Sequence, residues 1–153
     1  MAYCSTSLLA RSVAVDPFTN TITAIDIAEN LTIEVSEAPT ATEKAPYLIQ
    51  PFRWVFIALL WRDDASTPES DITGRLVIVS PQGREFPGPE QRLDLVDAPN
   101  GRVLTMIPAF PYTGNGPYRF CYQVLCGSNW QPVSEFIVPL TITTNGAETD
   151  RSP

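Results

Sequence analysis

Residues 21–35 alternate between apolar and polar side chains. One parity of the sequence carries the apolar residues Ile25, Ile27, Leu31, Ile33 and Val35, and the other carries the polar residues Asp26, Asn30, Thr32 and Glu34. This two-residue period is that of a half-buried β-strand, in which successive side chains point to opposite faces. The run is long for a single strand, so we expect a bulge or break near Glu29 and Asn30.

Similar apolar segments recur along the chain, and clusters of Gly, Pro, Asn and Asp separate them. The chain has 15 prolines, and their spacing leaves little room for long helices, since each internal proline costs a helix about 3 kcal/mol. About nine short strands joined by such turns are typical of an antiparallel β-sandwich. The predicted strands are residues 3–15, 21–35, 53–62, 72–80, 84–86, 91–96, 102–110, 118–126 and 133–143.

The most apolar segment is residues 53–62. Ala58, Leu59 and Leu60 are also good helix formers, but the short length, the preceding Pro51 and the aromatic and β-branched content favour a strand. Both parities of this strand are apolar, whereas a sandwich strand normally has one face in water. We therefore expect the second face to be covered either by residues 36–52 or by another chain, with Trp61 directed toward the surface.

A further pattern lies at Gly116-Pro117-Tyr118-Arg119-Phe120. It resembles the Gly-x-Tyr-x-Cys entry to the penultimate strand of immunoglobulin domains, with Phe120 at the cysteine position. The resemblance implies that the Tyr118 hydroxyl bonds back to the backbone before the strand and that Trp54 is the core tryptophan. The layout also resembles small uncharacterised bacterial sandwich proteins, whose function is unknown.

Together these patterns predict an all-β fold, an antiparallel immunoglobulin-like β-sandwich of about seven to nine strands. A length of 153 residues fits one domain of ordinary size. We expect this domain to span residues 1–144, with residues 145–153 forming a flexible polar tail.

Charge narrows the classes of partner. The chain has 10 basic and 17 acidic residues, a net charge of −7 and no histidine. An acidic balance argues against nucleic acid or an anionic membrane as partner, because both require a positive surface. The lack of histidine removes the commonest general base and metal ligand, and excludes triads of the Ser-His-Asp or Cys-His type.

The cysteines and the apolar segments bear on location. Cys4, Cys121 and Cys126 form an odd set without metal-type spacing, and the side chains of Cys121 and Cys126 point to opposite faces of one strand. We find no signal-peptide pattern and no apolar run long enough to span a membrane. A cytoplasmic protein with free thiols is the simplest interpretation.

Acidic loops offer the main alternative chemistry. Asp63, Asp64 and Asp71 flank one predicted loop, and carboxylates there are the kind of oxygen ligand that calcium takes. Their spacing is not that of a dedicated calcium loop. A catalytic carboxylate pair among these acids and Glu69, or from Asp94 and Asp97, is a further alternative.

The sequence thus predicts a non-enzymatic protein–protein interaction or assembly module without a cofactor, acting through a protein partner or self-association. The alternative function is a calcium- or small-ligand-binding sandwich that uses the acidic loops. Lysine side chains discourage pairing between the edges of sheets, so the near absence of lysine from this chain also favours association. The expected interface residues are apolar or aromatic: Trp61, Tyr47, Ile49, Tyr112 and Trp130.

Overall fold

The computed structural model of the chain describes residues 2–40, 45–62, 71–94 and 100–144. Every regular element in these ranges is a β-strand, so the described residues include no helix that could cross a membrane. The strands are β1 Ala2–Val15, β2 Ile22–Ile27, β3 Leu31–Val35, β4 Tyr47–Ile49, β5 Trp54–Arg62, β6 Asp71–Val79, β7 Glu85–Pro87, β8 Gln91–Asp94, β9 Asn100–Ile107, β10 Phe110–Tyr112, β11 Gly116–Cys126 and β12 Asn129–Thr144.

The all-β class is confirmed, but the described residues contain 12 strands instead of seven to nine. One reason is that the alternating run 21–35 divides into β2 and β3, which belong to different sheets. Asp26 has a positive φ of 55°, and the chain leaves the first sheet just after it. The predicted break near Glu29 and Asn30 is therefore confirmed, with each half of the run pairing separately.

The other additional strands come from segments next to proline. Pro108 separates β9 from β10 within the predicted strand 102–110, because proline has no N–H for the ladder. The predicted loop 36–52 contains β4, which pairs with β10. Local alternation over three residues is too short to reveal such strands, since their pairing partners are distant in sequence.

Two large sheets pack against each other in a β-sandwich-like arrangement. The four-stranded sheet has the order β2-β1-β5-β9, and the six-stranded sheet has the order β3-β12-β11-β6-β7 with β8 also paired to β6. All pairs of described strands are antiparallel except β3 and β12, which run parallel. A short third sheet consists of β4 and β10.

The inner faces of the two large sheets form the main core. Phe56, Ala58 and Leu60 of β5 are buried there against alternate residues of β11. The rings of Phe56 and Tyr122 stack across the interior with centroids 6.3 Å apart. Trp54 lies on the same face of β5 as these three residues, as its parity in the sequence predicts. Its side chain is half-buried at the edge of the core.

Residues 45–52 close one end of this core, and their buried side chains do not lie on the second face of β5. Phe52 is buried with its ring 4.9 Å from that of Phe110, and its N–H donates to the carbonyl of Pro108. Ile49 is buried beside it, whereas Tyr47 is exposed. Cover over the second face by residues 36–52 is thus not observed for the described part of that segment, residues 36–40 and 45–52. The buried side chains of this segment lie in the interior between the sheets.

The Tyr118 hydroxyl fixes the turn before β11, as the resemblance of residues 116–120 implies. It accepts a hydrogen bond from the N–H of Thr113 at 2.9 Å and donates to the carbonyl of Gly114 at 2.9 Å. Tyr118 is fully buried, and its ring packs edge-on against Phe110. The hydroxyl therefore satisfies two backbone groups that water cannot reach easily.

We predict that Tyr118→Phe lowers the free energy of unfolding by about 1–3 kcal/mol, because it leaves the buried Thr113 N–H without a partner. The matched control is Tyr122→Phe on the same strand face. The Tyr122 hydroxyl is buried with no hydrogen-bond partner among the described residues, so its removal should be neutral or stabilising. Urea midpoints of both variants provide the measurement, and equal losses would contradict the assignment of the corner.

Candidate interaction surface

The second face of β5 lies on the outside of the four-stranded sheet. Residues directly opposite each other in a sheet share a face, so the register places Ile57 between Leu8 and Leu104, and Leu59 between Thr6 and Arg102. We call this side of the sheet the outer face. Its apolar side chains on β2, β1, β5 and β9 are Ile25, Ile27, Leu8, Ala10, Val55, Ile57, Leu59, Trp61, Leu104 and Met106.

Several of these apolar side chains are open to solvent. Met106 is 72% exposed and Trp61 is 45% exposed, while Ile57 at the centre is only 4% exposed. Arg102 is the one charged side chain on this face among those described. Large apolar surfaces of this kind are unusual on monomers and mark interaction sites.

The hairpin of β1 and β2 folds back over part of the outer face. If β1 continued straight from Thr6 to Val15, its end would lie about 30 Å from the row of Arg102, at roughly 3.3 Å per residue. Instead, Arg102 Nη1 donates a 2.6 Å hydrogen bond to the carbonyl of Asn20 beyond that end. The same guanidinium also donates to the side-chain oxygen of Asn20. The hairpin therefore covers part of the outer face.

An open groove of about 550 Å³ lies between the hairpin turn and the sheet. Its apolar lining comes from Ile22 on the hairpin and from Leu59, Leu60 and Trp61 on β5. Arg102 forms part of the polar side. We call the hydrogen bonds from Arg102 of β9 to Asn20 of the hairpin the Arg102 clamp. The exposed edge of Trp61 lies in the groove next to this clamp.

The hairpin turn is itself well ordered by hydrogen bonds. The Asp16 carboxylate accepts the N–H groups of Phe18 at 2.7 Å and Thr19 at 3.0 Å. These backbone donors, that of Thr19 first, lower the pKa of Asp16 below its ordinary value, so the carboxylate stays ionised. The turn presents Phe18, which is 95% exposed, as an aromatic side chain on a fixed backbone.

The outer face of the six-stranded sheet is different. Arg119 and Glu135 form an exposed ion pair at 3.4 Å, and Glu135 lies opposite Cys121 in the register. Burial, together with the nearby Glu135 carboxylate, raises the pKa of the Cys121 thiol to about 11. Cys121 and Cys126 are both free, and only Cys121 lies on this outer face, as their spacing predicts; the side chain of Cys4 lies outside the described residues. Charged side chains thus shield the apolar residues here.

The predicted interface residues do not form one surface. Trp61 lies on the outer face, whereas Trp130 lies on the opposite side of the molecule, where the Arg75 guanidinium stacks 4.1 Å from its ring centroid. Tyr47 is exposed at the end closed by β4 and β10, and Ile49 and Tyr112 are buried there. The structure therefore leaves Trp61 as the member that belongs to a continuous apolar face.

Sequence reasoning missed Leu104, Met106 and Phe18. Residues 103–107 are apolar on both parities except for Thr105, the same signal that identified Trp61 on β5. Phe18 has a weaker signal, an aromatic residue inside an Asp-Pro turn. The role of Arg102 depends on the fold-back of the hairpin, which no local pattern predicts.

Most of the predicted metal ligands lie outside the described residues. Asp63 and Asp64 fall there, and of Asp71 only the backbone is described, at the start of β6. Of the acids named as a catalytic alternative, Glu69 and Asp97 also lie outside the described residues, and only the backbone of Asp94 is described. In the part of the chain that the structure describes, no three acidic or cysteine side chains are grouped as a metal site requires. The calcium hypothesis stays a prediction from the sequence.

Comparison with known proteins adds no identification. No protein-family model matches the chain, and no curated protein sequence matches it significantly.

We predict that Arg102→Gln loosens the hairpin. The variant lacks the guanidinium that holds Asn20, so backbone amides of residues 11–26 should exchange with deuterium about five-fold faster, which corresponds to about 1 kcal/mol. Arg119→Gln removes an exposed arginine from the other sheet and should leave these amides unchanged. Unchanged exchange in Arg102→Gln would show that the clamp does not hold the hairpin.

Proposed function

We propose that this chain is a non-enzymatic protein–protein interaction or assembly module that binds through the outer face of its four-stranded sheet. The observation that carries the proposal is the exposed apolar row on β5 and β9, which includes Trp61, Leu104 and Met106. Trp and Met are enriched at the centres of protein interfaces, and charged residues are depleted there. The single described charge on this face, Arg102, is already held by the hairpin.

The contrast between the two outer faces supports this assignment. On the six-stranded sheet, an ion pair and a stacked arginine lie over the apolar residues. On the four-stranded sheet, only the hairpin gives cover among the described residues, and it leaves Trp61 and Met106 in solvent. Burying these side chains against a partner would gain about 25 cal/mol for each Å² of apolar surface removed from water.

We further propose that the fold is immunoglobulin-like and that the protein is cytoplasmic. The Tyr118 corner and the buried Phe120 on the same strand support the first proposal. The free thiols of Cys121 and Cys126 support the second.

We predict that Trp61→Gln weakens association at least about ten-fold, the size expected for an interface anchor. Ile137→Gln is the matched control, because Ile137 is 51% exposed on β12 of the other sheet. Light scattering over a range of concentrations measures self-association, and retention of protein from an extract of the source cells measures a different partner. Circular dichroism should show the same fold in both variants.

Two results would contradict the proposal. In the first, the wild type neither associates nor retains protein at any concentration. In the second, Ile137→Gln weakens association as much as Trp61→Gln does.

A further inference from the structure

β9 is an edge strand whose free side is regular along its whole length. Its eight residues pair with β5 from Trp54 to Trp61 without a register shift, and no other described strand pairs with it. Such an edge presents a row of unpaired N–H and C=O groups, which fits the backbone of another extended strand.

The other described edges are less suited to pairing. β7 and β8 have 3 and 4 residues, and β3 has 5. β2 contains Asp26, whose positive φ interrupts the regular backbone of the strand one residue before its end. β9 has neither a proline, a lysine nor a bulge, which are the usual devices that block an edge. The sides of β1 and β12 that lack a described partner also carry such devices, namely a register shift between Cys4 and Thr6 in β1 and two prolines, Pro132 and Pro139, in β12. Among the described edges, the fold therefore leaves that of β9 open.

We propose that the free edge of β9 pairs antiparallel with β9 of a second copy of this chain, on a two-fold axis at Leu104. This inference rests on the proposed function, because it names the partner of the same apolar face. The two four-stranded sheets would then form one continuous sheet with their outer faces on the same side.

The register follows from the alternation of side chains. Directly opposite residues share a face, so the two outer faces lie on the same side only if one residue of β9 lies opposite the same residue of the second copy. The two-fold axis, perpendicular to the sheet, then passes between these two residues. With Leu104 on the axis, the two exposed Leu104 side chains meet each other, and Met106 lies opposite the aliphatic part of Arg102. With Val103 on the axis, the side chains that meet are already buried. The Leu104 register therefore covers more exposed apolar surface than the Val103 register does. With Thr105 on the axis, Met106 would lie opposite Leu104, but only residues 103–107 of this strand would pair, against residues 101–107 in the Leu104 register.

The size and charge of the contact suit a dimer. Residues 101–107 of both copies would exchange about six to eight backbone hydrogen bonds, within the range of about 10 ± 5 that protein interfaces have. The strand carries one charge, Arg102, in a chain of net charge −7. Because β9 contains no acidic residue, the pairing places no carboxylate of one β9 against the other.

Disulfide cross-linking tests this register. In a variant with Cys4, Cys121 and Cys126 replaced by Ala, Leu104→Cys should form a covalent dimer under mild oxidation, because directly opposite Cα atoms lie about 4.5–5.5 Å apart. Met106→Cys is the matched control on the same strand and face. It lies four positions from its mate in this register, roughly 13 Å along the strand, which is beyond disulfide reach.

Leu104→Lys in the otherwise natural chain gives a second, independent readout. It places two lysines opposite each other, so light scattering should show the dimer lost while circular dichroism is unchanged. A dimer that survives Leu104→Lys, or a Leu104→Cys variant that cross-links no faster than the Met106→Cys control, overturns the edge pairing. If Trp61→Gln still abolishes association in that case, the outer face binds by another geometry and the proposed function stands. A wild type that stays monomeric but retains another protein through Trp61 overturns the second copy as partner.

Discussion

The structure depends on the burial of one aromatic face of β11. Tyr118, Phe120 and Tyr122 alternate on this strand and are all fully buried. They pack against rings from the other elements, with Phe110 beside Tyr118 and Phe56 beside Tyr122. Because β11 pairs with β6 on one side and β12 on the other, fixing its inner face fixes the centre of the six-stranded sheet. The side chains of the four-stranded sheet that pack against these rings then form its inner face.

That choice determines what is left outside. β5 is apolar on both parities, so placing Phe56, Ala58 and Leu60 inward turns Ile57, Leu59 and Trp61 outward. The hairpin clamp by Arg102 covers part of this surface, and the remaining part adjoins the free edge of β9. The two features that suggest association, an apolar face and an unblocked edge, thus meet at the same two strands. A partner that covers one would also reach the other.

Local pattern predicted most of the strands, since alternation and turn residues act over a few positions. The break after β2 and the outward position of Trp61 could be inferred in this way, whereas the Tyr118 corner is implied by the resemblance of residues 116–120 to the immunoglobulin pattern. The cover over the second face of β5 could not be inferred from local pattern. It depends on the turn of the chain at Asp26 and on a hydrogen bond between Arg102 and Asn20. The position of Trp130 relative to Trp61 could not be inferred for a similar reason. Their positions on opposite sheets follow from pairing between distant strands, which composition does not encode.

The central claim is that the outer face is covered by protein when the chain is assembled. Hydroxyl-radical footprinting tests it directly, because tryptophan and methionine side chains are oxidised in proportion to their exposure. Oxidation of Trp61 and Met106 should fall as protein concentration rises, while that of Trp130 on the opposite sheet stays constant. Oxidation of Trp61 and Met106 at the same rate at every concentration, and also in the presence of any protein that the chain retains, would contradict the account.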